Sequence, residues 1–371
     1  MNQKKRRIKI DPVFVVSAGL ALASSFLVPP SPAYLSYLDW PVIVLLYCLM
    51  AVVAGLKQTG LFEWLSGLIL SKTGTLRNIS CLLVLLCFFS AMVITNDVAL
   101  LTFVPLTIPL LKDSREDRLI FVIVMETVAA NLGSMVTPIG NPQNLYLFTA
   151  YRMTAASFFR LTLPLGLISL MLIILTMLIL PGHEAQLPAR PAAKPPEPVR
   201  VRKYLILLVL CLLTVFKLVN CWLCLGIILF LLLLTDKAVL LKVDYVLLAT
   251  FISFFIFVGN LSALPSLRTF VSGLMKGREM LAAALVSQFI SNVPAAVMLS
   301  TFTDNREALL IGVNIGGLGT LIASLASLIS YKLYADSIGA QKGRYLAFFS
   351  LINFIFLAAL AGIAQFLGGN F

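Results

Sequence analysis

Two polar stretches lie inside strongly apolar sequence, and each occurs twice. One is Val93-Ile94-Thr95-Asn96-Asp97-Val98-Ala99-Leu100, matched by Phe289-Ile290-Ser291-Asn292-Val293-Pro294-Ala295-Ala296. The other runs from Asn131 and Gly133 to Thr137-Pro138-Ile139-Gly140-Asn141-Pro142-Gln143-Asn144, matched by the run from Asn314 through Gly316, Gly319 and Thr320 to Ser324. Such residues break helices, and in lipid the freed backbone groups must be met by protein or by a wet cavity. A break at membrane depth is therefore also a binding opportunity. The half-helix before it ends in carbonyls that attract a cation, and the one after it begins in amides that attract an anion. Thr95, Asn96, Ser291 and Asn292 add uncharged oxygen ligands, and unwound carbonyls near Thr137 to Gly140 and Gly319 to Ile322 could complete a sodium shell. An anion is expected against the amides, beside Asn141, Asn144 and Ser324. Two matching sets of breaks mark a secondary transporter with a central site.

Two carboxylates, Asp97 and Glu126, are placed at membrane depth, where an ionisable group costs a few kcal/mol and is usually functional. Proton loading is the chemistry either would supply. Asp97 also suits a simple helix cap, and Glu126, near the basic connector at residues 112–118, could snorkel toward it. The second copy has Val293 where the first has Asp97, so the two tips are not equivalent. No nucleophile–base pair or metal-ligand cluster accompanies these residues. His183 is the one histidine, and Cys221 and Cys224 form a CxxC without further ligands. An enzyme, a bound metal and a resident cofactor are therefore not expected; the small species implied are Na+ or H+ as coupling ions.

The elements that position these residues must be membrane helices. Of 371 residues, 60% are hydrophobic and 12% charged, with a mean hydropathy of +0.99, which no soluble class matches. The formal charge of +12 is spread over short connectors, as the positive-inside rule expects of a multi-pass protein of the cytoplasmic membrane with its N-terminus inside. It does not form a nucleic-acid face.

Residues 1–37 read as a cytoplasmic start and a retained first span (about 13–29), and 38–180 as a first transporter repeat. Within that repeat a span at 41–56, an interfacial helix at 60–72 and a hairpin about Thr95 to Asp97 precede a helix broken at 137–144 and a span at 155–180. Residues 181–203 form a Pro-rich cytoplasmic linker, and 204–242 two connecting spans. Residues 243–371 repeat the plan: a span at 243–259, an interfacial piece at 261–275, a hairpin at 279–303, a broken helix at 306–331 and a last span at 345–366. The one unpaired helix near 204–217 inverts the second copy. Leu38-Asp39-Trp40 matches Val243-Asp244-Tyr245, Gly55 matches Gly259, and Asn131, Gly133 and Thr137 match Asn314, Gly316 and Thr320 at one constant offset. The fold expected is an all-α polytopic membrane protein, an inverted repeat with two re-entrant helical hairpins and two broken transmembrane helices.

Through Thr95-Asn96-Asp97-Val98-Ala99-Leu100, Thr137 to Asn144, Ser291-Asn292-Val293-Pro294-Ala295, Val313-Asn314-Ile315-Gly316-Gly317 and Ser324-Leu325-Ala326, the chain resembles the ion-transporter superfamily. That group holds arsenical permeases, sodium–dicarboxylate and citrate symporters and bacterial sodium/proton antiporters, and the chain looks closest to its small bacterial anion permeases. The resemblance implies an elevator mechanism, often in a homodimer, with tips that carry sodium and a substrate carboxylate. Here the tips read Thr-Asn-Asp and Ser-Asn-Val where the family has Ser-Asn-Thr, which moves the reading toward arsenite-permease-like or other anion substrates, with proton coupling. The function expected is cation-coupled transport of a small inorganic or carboxylate anion; the alternatives are a sodium/proton antiporter and an arsenite efflux permease.

Overall fold

The computed structural model describes residues 12–70, 75–111, 114–179 and 195–368. The regular elements among these residues are helices. The first group is α1 (Pro12–Ser25), α2 (Tyr34–Tyr37), α3 (Trp40–Gln58), α4 (Leu61–Leu70), α5 (Leu76–Ile94), α6 (Asn96–Leu111), α7 (Glu116–Ser134), α8 (Pro142–Ala150) and α9 (Ala155–Leu178). After the linker come α10 (Pro198–Val215), α11 (Cys221–Thr235), α12 (Lys237–Leu240), α13 (Tyr245–Ser262), α14 (Pro265–Met275), α15 (Glu279–Ile290), α16 (Asn292–Ser300), α17 (Arg306–Ile315), α18 (Leu325–Ala335) and α19 (Lys342–Gly368). Five of them, α3, α5, α9, α13 and α19, are long and apolar enough to cross a membrane, since a span needs about 20 residues. The protein is thus an all-helical, multi-pass membrane protein. The helices α1 and α11, expected as full spans, have only 14 and 15 residues.

The duplication is visible in local chemistry. Asp39 caps α3 by accepting from the Val42 amide, and Asp244 caps α13 by accepting from that of Leu247. The two aspartates share almost the same backbone, φ −81°, ψ 85° and φ −80°, ψ 83°. The matched glycines Gly55 and Gly259 each lie under a tyrosine ring: a Cβ would stand 1.9 Å from Tyr204 at the first and 2.2 Å from Tyr37 at the second. No other residue fits at such an approach.

The helices can be divided into two bodies, which meet where α16 packs on α13 and α8 on α3. In one, α1 packs on α13, and α3 on α10 and α11. Asn260 on α13 donates to Ser24 Oγ and to the Tyr34 hydroxyl, which explains a polar residue at the end of an apolar helix. The second body contains α5 to α9 and α15 to α19, with α5 against α7 and α15 against α17.

Of the linker, residues 181–194 lie outside the described residues. Its last part is not extended: Pro198 opens α10, as proline does at a first helical position, so Arg200, Arg202 and Lys203 belong to a helix. Arg200 pairs with Asp236 at 2.6 Å, and Tyr204 donates to the same carboxylate at 2.7 Å. Burial opposes the Asp236 charge, but the Tyr204 hydroxyl, the Arg200 guanidinium and Lys203 together hold its carboxyl below the usual range.

Candidate functional site

Each tip turns on one residue in a strained conformation. Thr95 separates α5 from α6 at φ 72°, ψ 154°, and Ser291 separates α15 from α16 at φ 75°, ψ 154°. Non-glycine residues at positive φ are uncommon and persist where the surroundings over-determine them. What fixes these two is the neighbouring break. The Asn96 amide donates to the Gly140 carbonyl (3.2 Å), and the Asn292 amide to the Ala323 carbonyl (2.9 Å). Thr137 Oγ1 donates to the Met92 carbonyl (2.5 Å), as Thr320 Oγ1 does to the Gln288 carbonyl (2.9 Å). Gly133 and Gly316 let the broken helix approach: a Cβ would meet the Phe88 carbonyl oxygen at 2.1 Å in the first copy and the Ala284 Cα at 2.8 Å in the second. Each hairpin and its adjacent break is one unit, built twice.

The two units clasp each other through matched residues. Asn141 Nδ2 donates to Asn314 Oδ1 (3.1 Å), and Asn314 Nδ2 donates to Asn144 Oδ1 (2.6 Å). Reciprocally, Ser324 Oγ donates to Asn131 Oδ1 (2.9 Å), and Asn131 Nδ2 lies 3.5 Å from Ser327 Oγ. Contacts in which i meets j and the counterpart of i meets the counterpart of j are those of a twofold axis. All of these side chains are buried. Asn96 joins them by donating to Asn131 Oδ1 (3.1 Å). Of the residues expected at the site, Asn96, Asp97, Ser291, Asn292 and Ser324 line one central cavity; Asn141, Asn144 and Asn314 stand in the clasp beside it, and Thr137, Gly140 and Thr320 hold the tips within their own repeats.

At that centre, between the tips, lies a cavity of about 40 Å³, room for about three waters. Asn96, Asp97, Gln143, Asn292 and Ser324 line it, joined by Asp244 and Thr250 of α13. The described lining residues include two carboxylates and no basic side chain. Gln143 is 2% exposed, and its Oε1 has no hydrogen-bond partner among the described residues. Gln143 lies within the expected break but is not among the expected ligands. The signal was its place between Asn141 and Asn144 at a helix start.

Glu126 is away from this cavity and fully buried. It does not reach the charged connector, as snorkelling would require. Thr107 Oγ1 donates to its Oε1 (2.5 Å), and its Oε2 has no partner among the described residues. Beside it, Thr127 donates to Ser330, which shares a hydrogen bond with the Tyr345 hydroxyl. None of these three residues is marked out by the sequence.

Of the carbonyls expected as sodium ligands, that of Thr137 has a side-chain donor, and so do its neighbours in each break. The unwound carbonyls of the first break, Ser134, Met135 and Thr137, accept from Asn144 Nδ2 at 3.3, 3.0 and 3.0 Å. Those of the second, Gly316 and Leu318, accept from Gln288 Nε2 at 3.0 Å each. Gln288 was not singled out in the sequence, because an amide in a helix of mixed composition carries no local mark.

Helices of this polarity, duplicated and clasped at two pairs of interrupted segments, define a multi-pass membrane permease. Comparison with known proteins agrees. The family model for citrate transporters matches residues 5–305, and the chain belongs to that family. It is 32% identical to an uncharacterized transporter of Methanocaldococcus jannaschii, over 96% of this chain and 99% of the other. It is 33% identical to the inner membrane protein YbiR of Escherichia coli, over 89% and 90%. A silicon efflux transporter of Oryza sativa subsp. japonica is 30% identical over 36% of this chain and 27% of its own length.

Proposed function

We propose that this protein is a secondary active transporter that carries a small inorganic or carboxylate anion across the cytoplasmic membrane, coupled to protons or sodium, by an elevator-type movement. The observation that carries the reading is the reciprocal clasp of Asn131 and Asn314 on Ser324 and on Asn141 and Asn144 beside a cavity lined by both tips. In this reading the two hairpins are re-entrant, the N-terminus is cytoplasmic and the functional unit is a homodimer. Residues 95–97, 137–144, 291–292 and 314–324 bind the solute and its coupling ion, and Asp97 and Glu126 carry protons.

A specific observation favours a second reading of the solute. Two carboxylates among the described lining residues, and no base, repel a dianion such as a dicarboxylate. They accept a weak oxyacid in its neutral, protonated form, as in arsenite efflux. A silicon efflux transporter among the relatives supports the same direction. Direct sodium/proton exchange through Asp97 is the remaining alternative.

The test is a thermal-shift and proteoliposome screen of the purified chain against oxyanions, dicarboxylates and arsenite. Asn96→Ala and Asn292→Ala each remove one hydrogen-bonding side chain from the cavity, and a hydrogen bond is worth about 1 kcal/mol, so about fivefold weaker solute binding is expected in each. Binding unchanged in both variants moves the site elsewhere. Sodium-evoked proton movement in everted vesicles with no solute present would favour the antiporter.

A further inference from the structure

Helix breaks in a membrane leave carbonyls that need a positive partner, and transporters commonly supply a bound cation. Here the break carbonyls are gathered on one side-chain nitrogen, three in the first copy and two in the second, where the third acceptor, Ala284, belongs to the amide's own helix α15. Gln288 Nε2 stands 3.0 Å from the carbonyl oxygens of Ala284, Gly316 and Leu318. A carboxamide has two hydrogens, so three acceptors at equal distance exceed what it can fully serve. They form the convergent oxygen set of a cation seat. The other end of the side chain is also used: Gln288 Oε1 accepts from the Thr320 amide (2.8 Å). Gly319, at φ +102°, admits no side chain here, since a Cβ would lie 2.2 Å from that same oxygen.

In the first copy the residue at the place of Gln288 is Met92, which has no amide. There the nitrogen comes from the other side of the break, from Asn144, and gathers Ser134, Met135 and Thr137. The residue at the place of Asn144 in the second copy is Ser327, too short to do so. The two copies thus reach one arrangement with different residues.

We infer that the carboxamides of Gln288 and Asn144 occupy the two cation seats of the helix breaks, so that the breaks are held without a bound ion and transport runs without sodium. The inference rests on the transporter reading.

The experiment compares the thermal stability of the purified full chain in sodium chloride and in choline chloride at equal ionic strength. The wild type is expected to melt at the same temperature in both. Gln288→Ala empties one seat and is expected to gain a saturable, sodium-specific rise of roughly 3–5 °C at sodium well above its dissociation constant. Gln288→Met, which copies the first repeat, serves the same purpose if the alanine variant does not fold, and Asn144→Ala tests the other seat. A saturable sodium effect on the wild type, or no sodium effect on any folded variant, overturns the inference. Failure of the transporter reading looks different: no oxyanion, dicarboxylate or arsenite would stabilise the wild type in either salt.

Discussion

The side chain of Asn131 has four partners and that of Asn314 three, and their position explains why an uncharged amide stands there. Each spans the interface between repeats, receives a donor from the opposite break and gives a donor back. Aspartate would lose the donor and leave a charge in a dry clasp. Glu126 is a different case, a carboxyl enclosed on α7 with one oxygen held by Thr107 and the other without a partner among the described residues. Such an oxygen is best matched by the neutral acid, which carries its own hydrogen, because an isolated buried charge is strongly disfavoured. If Glu126 moves protons, Glu126→Gln keeps the Thr107 bond and the shape of the site but cannot titrate. The expected outcome is a folded protein whose counterflow exchange of solute persists while proton-driven accumulation falls at least tenfold. Transport with an unchanged dependence on external pH would remove Glu126 from the coupling path.

At the scale of elements, what the sequence made legible was where helices stop. Thr95, Asn96, Ser291 and Asn292 stand out because small polar residues in apolar sequence have no other use, and the tips fall within a residue of the expected places. The α7–α8 and α17–α18 interruptions were legible for the same reason, through Pro138, Gly140 and the glycines at 316, 317 and 319. The contacts that hold the breaks were not legible. Gln288 meets Gly316 and Leu318 across the packing of α15 on α17, which no local pattern encodes. The end of the linker was misread because Arg200 and Lys203 look like a solvated basic run until Asp236, 36 and 33 residues further on, is brought beside them.

Two predictions belong to this scale. Gly133→Ala drives a methyl into a backbone carbonyl oxygen at 2.1 Å, whereas Gly316→Ala meets its nearest atoms at 2.8 Å. Both helix crossings must widen, the first by more. A loss of several kcal/mol is the scale of overpacking without relief, so Gly133→Ala is expected to melt well below Gly316→Ala in detergent, and Gly316→Ala below the wild type. The junction of α10 and α11 is set by Asp236, whose carboxyl is held below the usual value. A depressed carboxylate contributes stability that is present above its unfolded value, about 3.9, and is lost as pH falls through the folded value. Asp236→Asn is therefore expected to lower the melting temperature at pH 7, and the gap to the wild type should close below about pH 4. A gap that stays constant to pH 3 would mean that the ion pair contributes nothing.

At the scale of the whole molecule, the polar bonds and the apolar contacts divide differently. The ion pairs between described residues fall inside one body or the other: Arg200 and Lys203 with Asp236 in the first, Arg115 and Arg344 with Asp117 in the second. Between the bodies, α13 meets α16 and α3 meets α8 through apolar and aromatic packing. Tyr146 of α8 lies 6.5 Å from Phe251 and 5.6 Å from Phe255 of α13, and Phe148 lies 6.0 Å from Phe216 at the end of α10 (ring centroids). Ring-on-ring packing has many near-equal arrangements, whereas an ion pair or hydrogen bond fixes one, so this division suits a body that slides as a unit past another. Cysteines in place of Tyr146 and Phe251, in a chain freed of its six native cysteines, can be joined by a short bis-thiol linker. Joining them is expected to abolish solute transport while leaving the solute's thermal stabilisation intact, because the link holds α8 and α13 as they stand around the cavity, which residues of both bodies line. A linker between positions 24 and 260, inside the first body, is expected to leave transport within about twofold of the uncrosslinked protein. Transport that survives the 146–251 link would mean that the two bodies do not move past each other and that solute passes by local opening of the tips.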